Sequence, residues 1–365
     1  MGVREIYEQT LAERGYRSDP AQLRALDSLE RCEREWADYK ARRSNALTKL
    51  IARPPIPRGV YLWGGVGRGK SFLMDCFFTA LPLQRKTRLH FHEFMREVHR
   101  ELIEMSGTSD PLEQLGKSVA RRFRLICLDE FHVADITDAM ILHRLLEALF
   151  ANRVSIVTTS NFPPDGLYPN GLHRERLLPA IELLKDKLEI VSVDGPTDYR
   201  QATLQAVELY HVPLGPEADA AMTKAFERLA EARDESPILK IEHREIRARR
   251  RAGGVVWFDF RQLCGGPRSQ NDYLELATQF HTLLLSGVPQ MSPRLASEAR
   301  RFTWLIDVLY DRRVKLIMSA EVEPEALYTE GPLVHEFPRT VSRLREMRSA
   351  EFLAEARRSV DTSLT

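Results

Sequence analysis

A glycine-rich segment near residue 64 has the residue types and the spacing that hold a phosphate chain. Its G-x-x-x-x-G-K-[ST] pattern follows an apolar run, precedes a helical pattern, and consists of Gly64, Gly65, Val66, Gly67, Arg68, Gly69, Lys70 and Ser71. Glycines let the backbone wrap around phosphate oxygens, so that its N–H groups and the helix N-terminus face the anion. We expect Lys70 to reach the β- and γ-phosphates and the Ser71 hydroxyl to hold Mg²⁺; the alternative is a turn that binds nothing.

Two adjacent acids, Asp129 and Glu130, end the apolar run 125–128. Asp129 at the end of a strand can orient Mg²⁺ or its water, and Glu130 can polarise the attacking water. Alone, such a pair is typical of a solvated loop start. Together with the glycine-rich segment, it predicts hydrolysis of a nucleotide rather than binding alone.

Three more polar residues follow the β-branched run 154–158. Asn161 can hydrogen-bond the γ-phosphate or the attacking water, or it can cap the turn into Phe162. Arg174 and Arg176 lie at the start of a predicted helix. Either can serve as an arginine finger for a neighbouring subunit, with Arg174 favoured, or form a plain surface ion pair.

Strands and helices alternate around these residues, which predicts an α/β fold with a parallel sheet and covering helices. Strands are predicted at 60–63, 88–92, 125–128, 154–158, 188–193, 255–260 and 314–318. Helices are predicted at 70–80, 140–150, 218–232, 273–285 and 296–310. Because carboxyl ends of parallel strands meet at one edge, this order can bring the polar residues together.

The N-terminal region has the pattern of one amphipathic helix. Asp19 can cap it and Pro20 suits its first position, and apolar residues then recur at helical spacing to Tyr39. We predict a helix from residue 20 to about 50 that packs on its own core; binding a partner is the alternative. A proline-rich stretch at 52–59 ends the region.

An internal similarity joins the two halves of the chain. Residues 145–171 and 305–331 align without gaps at an offset of 160 (305 minus 145). An ancient duplication and the repeated physics of a helix–strand–turn unit both explain it. The second copy lacks the phosphate-binding pattern. Identical residues include Leu145 and Leu305, Arg153 and Arg313, Pro164 and Pro324, Tyr168 and Tyr328, and Gly171 and Gly331.

The sequence resembles the ZapE-type cell-division ATPases of bacteria, an Afg-like family of AAA+ P-loop ATPases with mitochondrial relatives. The resemblance covers most of the chain, from about residue 7 to 353, and its motifs lie at 59–75, 88–99, 125–140, 158–181, 299–321 and 337–347. It implies a P-loop NTPase AAA+ core at 58–200, an N-terminal helical segment at 1–57 and a C-terminal α/β and helical region at 201–365.

The same resemblance implies the chemistry and the partner. ATP is hydrolysed with Mg²⁺, and hydrolysis is coupled to remodelling at the division site, with the FtsZ ring as partner and a homo-oligomer as the working form. By position, Arg343 serves as a second sensor, with Arg339 as the weaker candidate. Two rivals remain: a nucleic-acid-directed ATPase of the helicase-loader kind, and an ATP-gated binding module with little turnover.

Composition limits the alternatives. The 365 residues carry 53 basic and 52 acidic side chains, a formal net charge of +1, which does not favour nucleic acid as a partner. The run 243–251 contains five arginines and is either a landing site for a polyanion or a solvated edge. We find no signal peptide and no run of about 18 uncharged apolar residues, and expect a cytoplasmic protein without a transmembrane segment.

Overall fold

The structure is a computed structural model that describes residues 1–14, 18–43, 54–65, 67–133, 135–169, 171–194, 204, 207–230, 234–242, 244–355 and 357. By its internal contacts the chain divides into two compact units, Met1–Asp198 and Tyr199–Thr365. Among the described residues, no helix combines the length and the apolar character that a membrane crossing requires.

A five-stranded sheet forms the centre of the first unit. Every neighbouring pair of its strands is parallel, and their order across the sheet is β5-β1-β4-β3-β2. The strands are β1 (Gly59–Trp63), β2 (Lys86–His90), β3 (Leu125–Asp129), β4 (Ser155–Ser160) and β5 (Leu188–Ser192). The glycine-rich segment follows β1, the two acids end β3, and Asn161 follows β4. The sheet order therefore brings these three positions to one edge, which confirms the predicted parallel α/β fold.

Helices cover both faces of this sheet. They are α1 (Val3–Arg14), α2 (Pro20–Ala41), α3 (Lys70–Ala80), α4 (Phe91–Glu104), α5 (Pro111–Arg122), α6 (Ile136–Ala151) and α7 (Leu178–Lys187), with 3-10 turns at Pro164–Gly166 and Arg174–Arg176. Successive residues of β1 enter opposite cores: Val60 packs with α1, α2 and α3, and Tyr61 packs with α4 to α7. This alternation is the pleat of a strand buried on both faces.

The N-terminal helices belong to the first unit's own core. The Asp19 carboxylate accepts a hydrogen bond from the Ala21 N–H at 2.7 Å and so caps α2. Tyr7 and Trp36 are buried in one cluster with residues of β1 and α3. The predicted packing of this stripe on its own chain is confirmed, but the predicted length is wrong: α2 ends at Ala41, soon after the apolar spacing stops at Tyr39, and residues 44–53 lie outside the described residues.

The second unit contains another five-stranded sheet and a separate two-stranded one. The first has the order β6-β12-β11-β10-β9, with only β9 antiparallel to its neighbour; the second pairs β7 with β8. The strands are β6 (Tyr210–His211), β7 (Ile238–Ile241), β8 (Arg244–Arg247), β9 (Arg250–Ala252), β10 (Val255–Asp259), β11 (Thr282–Val288) and β12 (Lys315–Ala320).

The helices of the second unit are α8 (Pro216–Leu229), α9 (Phe260–Cys264), α10 (Gln270–Gln279), α11 (Ala296–Asp311), α12 (Phe337–Glu346) and α13 (Ala350–Ala354), with 3-10 turns at Pro293–Leu295 and Pro324–Ala326. The helix predicted over 273–285 is wrong in its second half. It ends at Gln279, and residues 282–285 belong to β11. An apolar run of this length fits a buried strand as well as a buried helix.

The two units repeat one arrangement of strands. In the first, the order β1-β4-β3-β2 is parallel throughout; in the second, β6-β12-β11-β10 is parallel throughout. The helix, strand and 3-10 turn at 136–151, 155–160 and 164–166 recur with identical lengths at 296–311, 315–320 and 324–326. The offset is again 160, as between Ile136 and Ala296.

Individual hydrogen bonds repeat as well. Tyr61 pairs with Thr158 in the sheet, and its hydroxyl donates to the Phe162 carbonyl at 3.0 Å. Tyr210 pairs with Met318, which is Thr158 plus 160, and its hydroxyl donates to the carbonyl at position 322, which is 162 plus 160, at 2.6 Å. Recurrent helix–strand physics does not require the same tyrosine at the same register. The structure therefore supports a duplication.

Candidate nucleotide-binding site

The loop between β1 and α3 depends on glycine at two places. Gly67 and Gly69 both have φ of 77°, a left-handed conformation that glycine adopts without a steric penalty. A Cβ on Gly69 would also lie 2.5 Å from the Gln22 side-chain nitrogen. Val66 lies outside the described residues. Because α3 starts at Lys70, directly after Gly69, the loop ends at a helix N-terminus, which favours an anion.

The Lys70 side chain lies along this loop. Its buried ammonium donates hydrogen bonds to the Gly64 and Gly65 carbonyls, at 2.7 and 2.6 Å. At the other side of the loop, the Asp194 carboxylate accepts a hydrogen bond from the Gly65 N–H at 2.7 Å and lies 3.9 Å from the Arg68 guanidinium. The ammonium is therefore held at the loop, where it can meet a phosphate.

Gln22 of the N-terminal helix α2 supports the loop. The sequence around Gln22 does not predict this role. Gln22 is 3% exposed, its side-chain N–H donates to the Arg68 carbonyl at 3.0 Å, and its side-chain oxygen accepts from the Tyr7 hydroxyl at 2.8 Å. The Tyr7 ring stacks on Phe72 of α3, with centroids 5.4 Å apart. The first helices of the chain thus set the conformation of the glycine-rich loop.

Replacing Gln22 with alanine should weaken nucleotide binding through the loop's shape. The change leaves the partly buried Arg68 carbonyl and the buried Tyr7 hydroxyl without this partner, at a cost of about 1–3 kcal/mol. We expect the Kd for ATP to rise by about threefold to tenfold, measured by titration calorimetry. Gln114→Ala is the matched control, because Gln114 is exposed and its side-chain N–H donates to the Ser109 carbonyl at the surface. Equal affinities for both variants would contradict the role of Gln22.

Arg88 of β2 links the loop helix to the acids of β3. Its guanidinium donates to Asp129 at 2.6 Å, to Asp75 of α3 at 3.0 Å and to the Ser71 carbonyl at 3.2 Å. Burial acts to lower the pKa of Arg88, but Asp129 and Asp75 outweigh it and leave the pKa above its ordinary value. The guanidinium therefore stays charged and brings Ser71 and Asp129 together, a role that no local sequence pattern signals.

Glu130 adopts an unusual backbone conformation. Its φ is +54°, which costs a residue other than glycine about 1–2 kcal/mol, and its N–H donates to the Thr159 hydroxyl at 3.1 Å. In the second unit the residue at the same sheet position is Gly287, because Thr282 pairs with Lys315 as Leu125 pairs with Ser155. Gly287 has φ of 73° and the same bond, at 3.1 Å, to the Ser319 hydroxyl. The fold imposes this turn, and glycine fills it in the unit without the loop motif. A glutamate retained there at a steric cost points to a function for its carboxylate.

The two histidines near Glu130 lie on different elements, although the sequence predicts one strand over 88–92. His90 ends β2, and His92 lies in the first turn of α4. Their rings stack with centroids 5.6 Å apart. Burial first, and His90 second, lower the pKa of His92 to about 4, against the opposing effects of Glu93 and Glu130. His92 is therefore neutral at pH 7.

Asn161 follows β4 and exposes its side chain. One reading of the sequence makes it the cap of the turn into Phe162. Instead, the Ser160 hydroxyl accepts the Phe162 N–H at 3.2 Å and donates to the Phe131 carbonyl at 2.8 Å. Because Ser160 caps this turn, the Asn161 amide remains available at the sheet edge for a ligand.

Arg174 and Arg176 form one 3-10 turn but differ in their contacts. Arg174 is half-buried and donates to the Asp165 carbonyl at 2.7 Å. Arg176 is exposed, and among the described residues its side chain has no hydrogen-bond or ion-pair partner. Arg174 is thus positioned by its own subunit, whereas Arg176 projects into solvent.

The candidate second sensors lie on α12 of the second unit. Arg343 is largely buried, forms an ion pair with Asp307, lies 3.6 Å from Asp311 and covers the Tyr310 ring. Arg339 is 67% exposed and lies 3.6 Å from Asp307. The two arginines therefore share one carboxylate, and Arg343 is the more firmly held.

The basic run 243–251 is balanced by acids from the same unit. Four of its five arginines form ion pairs: Arg244 with Asp272, Arg249 with Asp219 and Asp259, Arg250 with Asp234 and Glu227, and Arg251 with Glu235. His243 lies outside the described residues. The run therefore forms strands β8 and β9 with internal ion pairs, and its reading as a polyanion landing site is not supported.

The residues at the sheet edge suit Mg²⁺, the ion that the resemblance implies. Hydroxyl and carboxylate oxygens are its preferred ligands, and it commonly takes one or two carboxylates together with phosphate oxygens and water. Ser71 and Asp129 offer such donors, brought together by Arg88. Within the described ranges, no group of three or more His, Cys, Asp or Glu side chains forms a metal cage. The donor set thus fits an ion held jointly by protein and phosphate.

The chain is similar to known proteins over most of its length. The family model described as AFG1-like ATPase matches residues 1–356. The cell division protein ZapE of Escherichia coli K12 is 42% identical over 360 residues, covering 95% of this chain and 96% of that protein. Lactation elevated protein 1 homolog B of Danio rerio is 34% identical over 355 residues, covering 84% of this chain and 71% of that protein.

Among solved structures, the chain is similar to domain III of the Thermotoga maritima replication initiation protein DnaA, with a TM-score of 0.34, 13% identity and coverage of 52% of this chain and 69% of that chain. It is also similar to the DnaC helicase loader, with a TM-score of 0.33, 14% identity and coverage of 49% and 93%. The family match spans almost the whole chain and includes every residue of the site. The chain belongs to the AFG1-like ATPase family.

Proposed function

We propose that this protein is a Mg²⁺-dependent ATPase of the ZapE type that couples ATP hydrolysis to the remodelling of a protein partner in the cytoplasm, the FtsZ division ring. The observation that carries the proposal is the Arg88 guanidinium, which contacts both the Ser71 carbonyl and the Asp129 carboxylate. One side chain thereby spans the phosphate-loop helix and the acids of β3. A metal held between the Ser71 hydroxyl and the Asp129 carboxylate requires these two elements to lie next to each other.

Each residue at the sheet edge has one role in this proposal. The backbone N–H groups of the loop and the Lys70 ammonium bind the phosphates, and Mg²⁺, held by Ser71 and Asp129, neutralises their charge when bound. Glu130 accepts a proton from the attacking water. Asn161 orients that water or the γ-phosphate, because its amide is not used by the turn.

The working unit in this proposal is a homo-oligomer. An AAA+ core at 58–200 holds the nucleotide, the N-terminal segment at 1–57 supports its loop, and the region 201–365 carries Arg343 as second sensor, with Arg339 as the weaker candidate. Arg174 completes a neighbour's site as an arginine finger, held in position by its bond to the Asp165 carbonyl. Support for the division ring as partner comes from the resemblance and from the relative named as a cell division protein.

The finger in trans makes hydrolysis depend on self-association. We expect the turnover per protomer to rise with protein concentration and to fall by about a hundredfold or more in Arg174→Ala, since arginine fingers contribute about 10³–10⁵. The measurement is steady-state ATP hydrolysis across a dilution series. Arg176→Ala is the matched control, because Arg176 lies in the same turn and is exposed.

Two outcomes would change this account. A collapse in Arg176→Ala with normal turnover in Arg174→Ala would transfer the role to Arg176. Turnover that is independent of concentration and survives both changes would contradict the finger in trans, and would leave a self-contained ATPase.

A further inference from the structure

A basic cavity lies at the edge of the first unit's sheet opposite to the candidate nucleotide site. It has a volume of about 440 Å³ and is lined by Arg85, Lys117, Ala120, Arg121, Arg124 and Asn152. Arg85 and Arg124 directly precede β2 and β3, whereas the loop, Asp129 and Asn161 lie at or beyond carboxyl ends of strands. A five-residue strand, roughly 16 Å long, separates the two edges.

Two of the four cations are fixed by the ends of helices. Arg85 donates to the last carbonyls of α5, including that of Arg121 at 2.5 Å. Arg124 donates through one nitrogen to the carbonyls of Asn152 and Arg153 after α6, at 3.1 and 3.2 Å. A guanidinium has five N–H donors, so each arginine keeps donors that these bonds do not use.

The other two cations are not required by the fold. Arg121 and Lys117 are both exposed. Among the residues that the structure describes, Arg121 has no carboxylate within ion-pair distance, and Lys117 has one, Glu113, at 3.3 Å on its own helix. The positive charge of the cavity is therefore mostly uncompensated, in contrast to the run 243–251.

The pKa of Arg124 reflects the same excess of positive charge. Its pKa lies below the ordinary value, first because of partial burial and then because the charges of Arg85, Arg153 and Arg43 repel its own. An anion in the cavity would relieve this repulsion. Charge-assisted hydrogen bonds to phosphate or carboxylate are about twice as strong as neutral ones, and the guanidinium fork suits both groups.

The lining selects between kinds of anion. Among the described residues, no aromatic side chain lines the cavity to stack on a nucleobase, and Ala120 is its one apolar side chain. A base or an apolar peptide side chain would therefore find little apolar contact beyond Ala120. We propose that this cavity binds a compact oxyanion that carries two or more phosphate groups, either free or as the headgroup of a lipid.

The test uses sodium tripolyphosphate as the probe of the free anion. The full-length chain carries Lys70→Ala and is kept without Mg²⁺, so that the glycine-rich loop does not compete. We expect one binding site by titration calorimetry, with affinity that falls as salt rises. Adding Lys117→Gln and Arg121→Gln should weaken binding about tenfold or more, since both changes remove charge-assisted hydrogen bonds to the anion. Arg34→Gln, at an exposed arginine of α2, is the matched control and should leave binding unchanged.

A second arm identifies the source of the phosphate. Phosphatidylcholine vesicles with and without cardiolipin, whose headgroup carries two phosphates, are tested by co-sedimentation with the same variants. Binding of either probe that requires Lys117 and Arg121 supports the site, and the probe that binds names the source. Binding of neither probe, binding that survives the double change, or an equal loss in Arg34→Gln would overturn the proposal. Circular dichroism of each variant verifies its fold.

Discussion

Glu130→Gln should stop ATP hydrolysis and leave ATP binding intact. The amide keeps the size of the side chain and its place in the turn, but it cannot accept the proton of the attacking water. General bases contribute about 10²–10⁴ to a rate, so we expect kcat to fall by about a hundredfold or more. The Kd for ATP should stay within about twofold. Steady-state hydrolysis at saturating ATP and equilibrium binding of ATP to the same preparation measure both quantities.

Glu104→Gln provides the matched control for this variant, since Glu104 is an exposed glutamate at the end of α4. It should hydrolyse ATP at the wild-type rate. The Glu130→Gln variant also distinguishes a protein that must hydrolyse ATP from one that only has to bind it. A protein that only binds ATP would keep its function in Glu130→Gln. Hydrolysis at an undiminished rate would remove Glu130 from the chemistry and leave the presence of a glutamate, rather than a glycine, at this turn without an explanation.

Arg88→Met should destabilise the first unit strongly. Methionine replaces much of the volume, but the change leaves two carboxylates, Asp129 and Asp75, without their shared cation in a largely buried place. Breaking a buried ion pair from one side costs about 3–5 kcal/mol. Hydrogen exchange of the β3 amides in urea gives the free energy of opening where the effect is centred.

Arg88→Lys is the matched control, because lysine keeps the charge and loses the fork that reaches three acceptors. We expect a smaller loss of stability than in Arg88→Met. The lysine variant should also need more Mg²⁺ for hydrolysis, since Asp129 and Ser71 are then held less firmly. A loss below about 1 kcal/mol in Arg88→Met would show that Arg88 does not hold the two acids.

The parts of the site that follow strands could be predicted from the sequence. The glycine pattern, the acids after an apolar run and the polar end of β4 each have local signals, and a parallel sheet brings strand ends to one edge. Gln22 and Arg88 could not be found in this way, because Gln22 lies on a helix 46 positions from the Arg68 carbonyl that it holds and Arg88 lies 41 from Asp129. Only the packed fold brings such residues together.

The errors in the fold have similar causes. The run at 282–285 fits helix and strand equally well, and only its pairing with β10 and β12 decides that it is a strand. The arginines of 244–251 look like a basic surface because their acids lie elsewhere along the chain, as Asp219 and Asp272 do. The cavity at Arg85 and Arg121 is the opposite case. Its cations are separated in the sequence, and only the fold brings them together.

The most direct test of the central claim is Mg²⁺-dependent ATP hydrolysis by the purified chain, with Lys70→Ala as the blank. We predict that the wild type hydrolyses ATP and that this turnover disappears without Mg²⁺. Turnover should also disappear in Lys70→Ala, because the loop then lacks the ammonium held at Gly64 and Gly65. Hydrolysis that is equal in both proteins would come from a contaminant or another site. Either that result, or no hydrolysis by the wild type at any protein concentration, would contradict an ATPase at this loop.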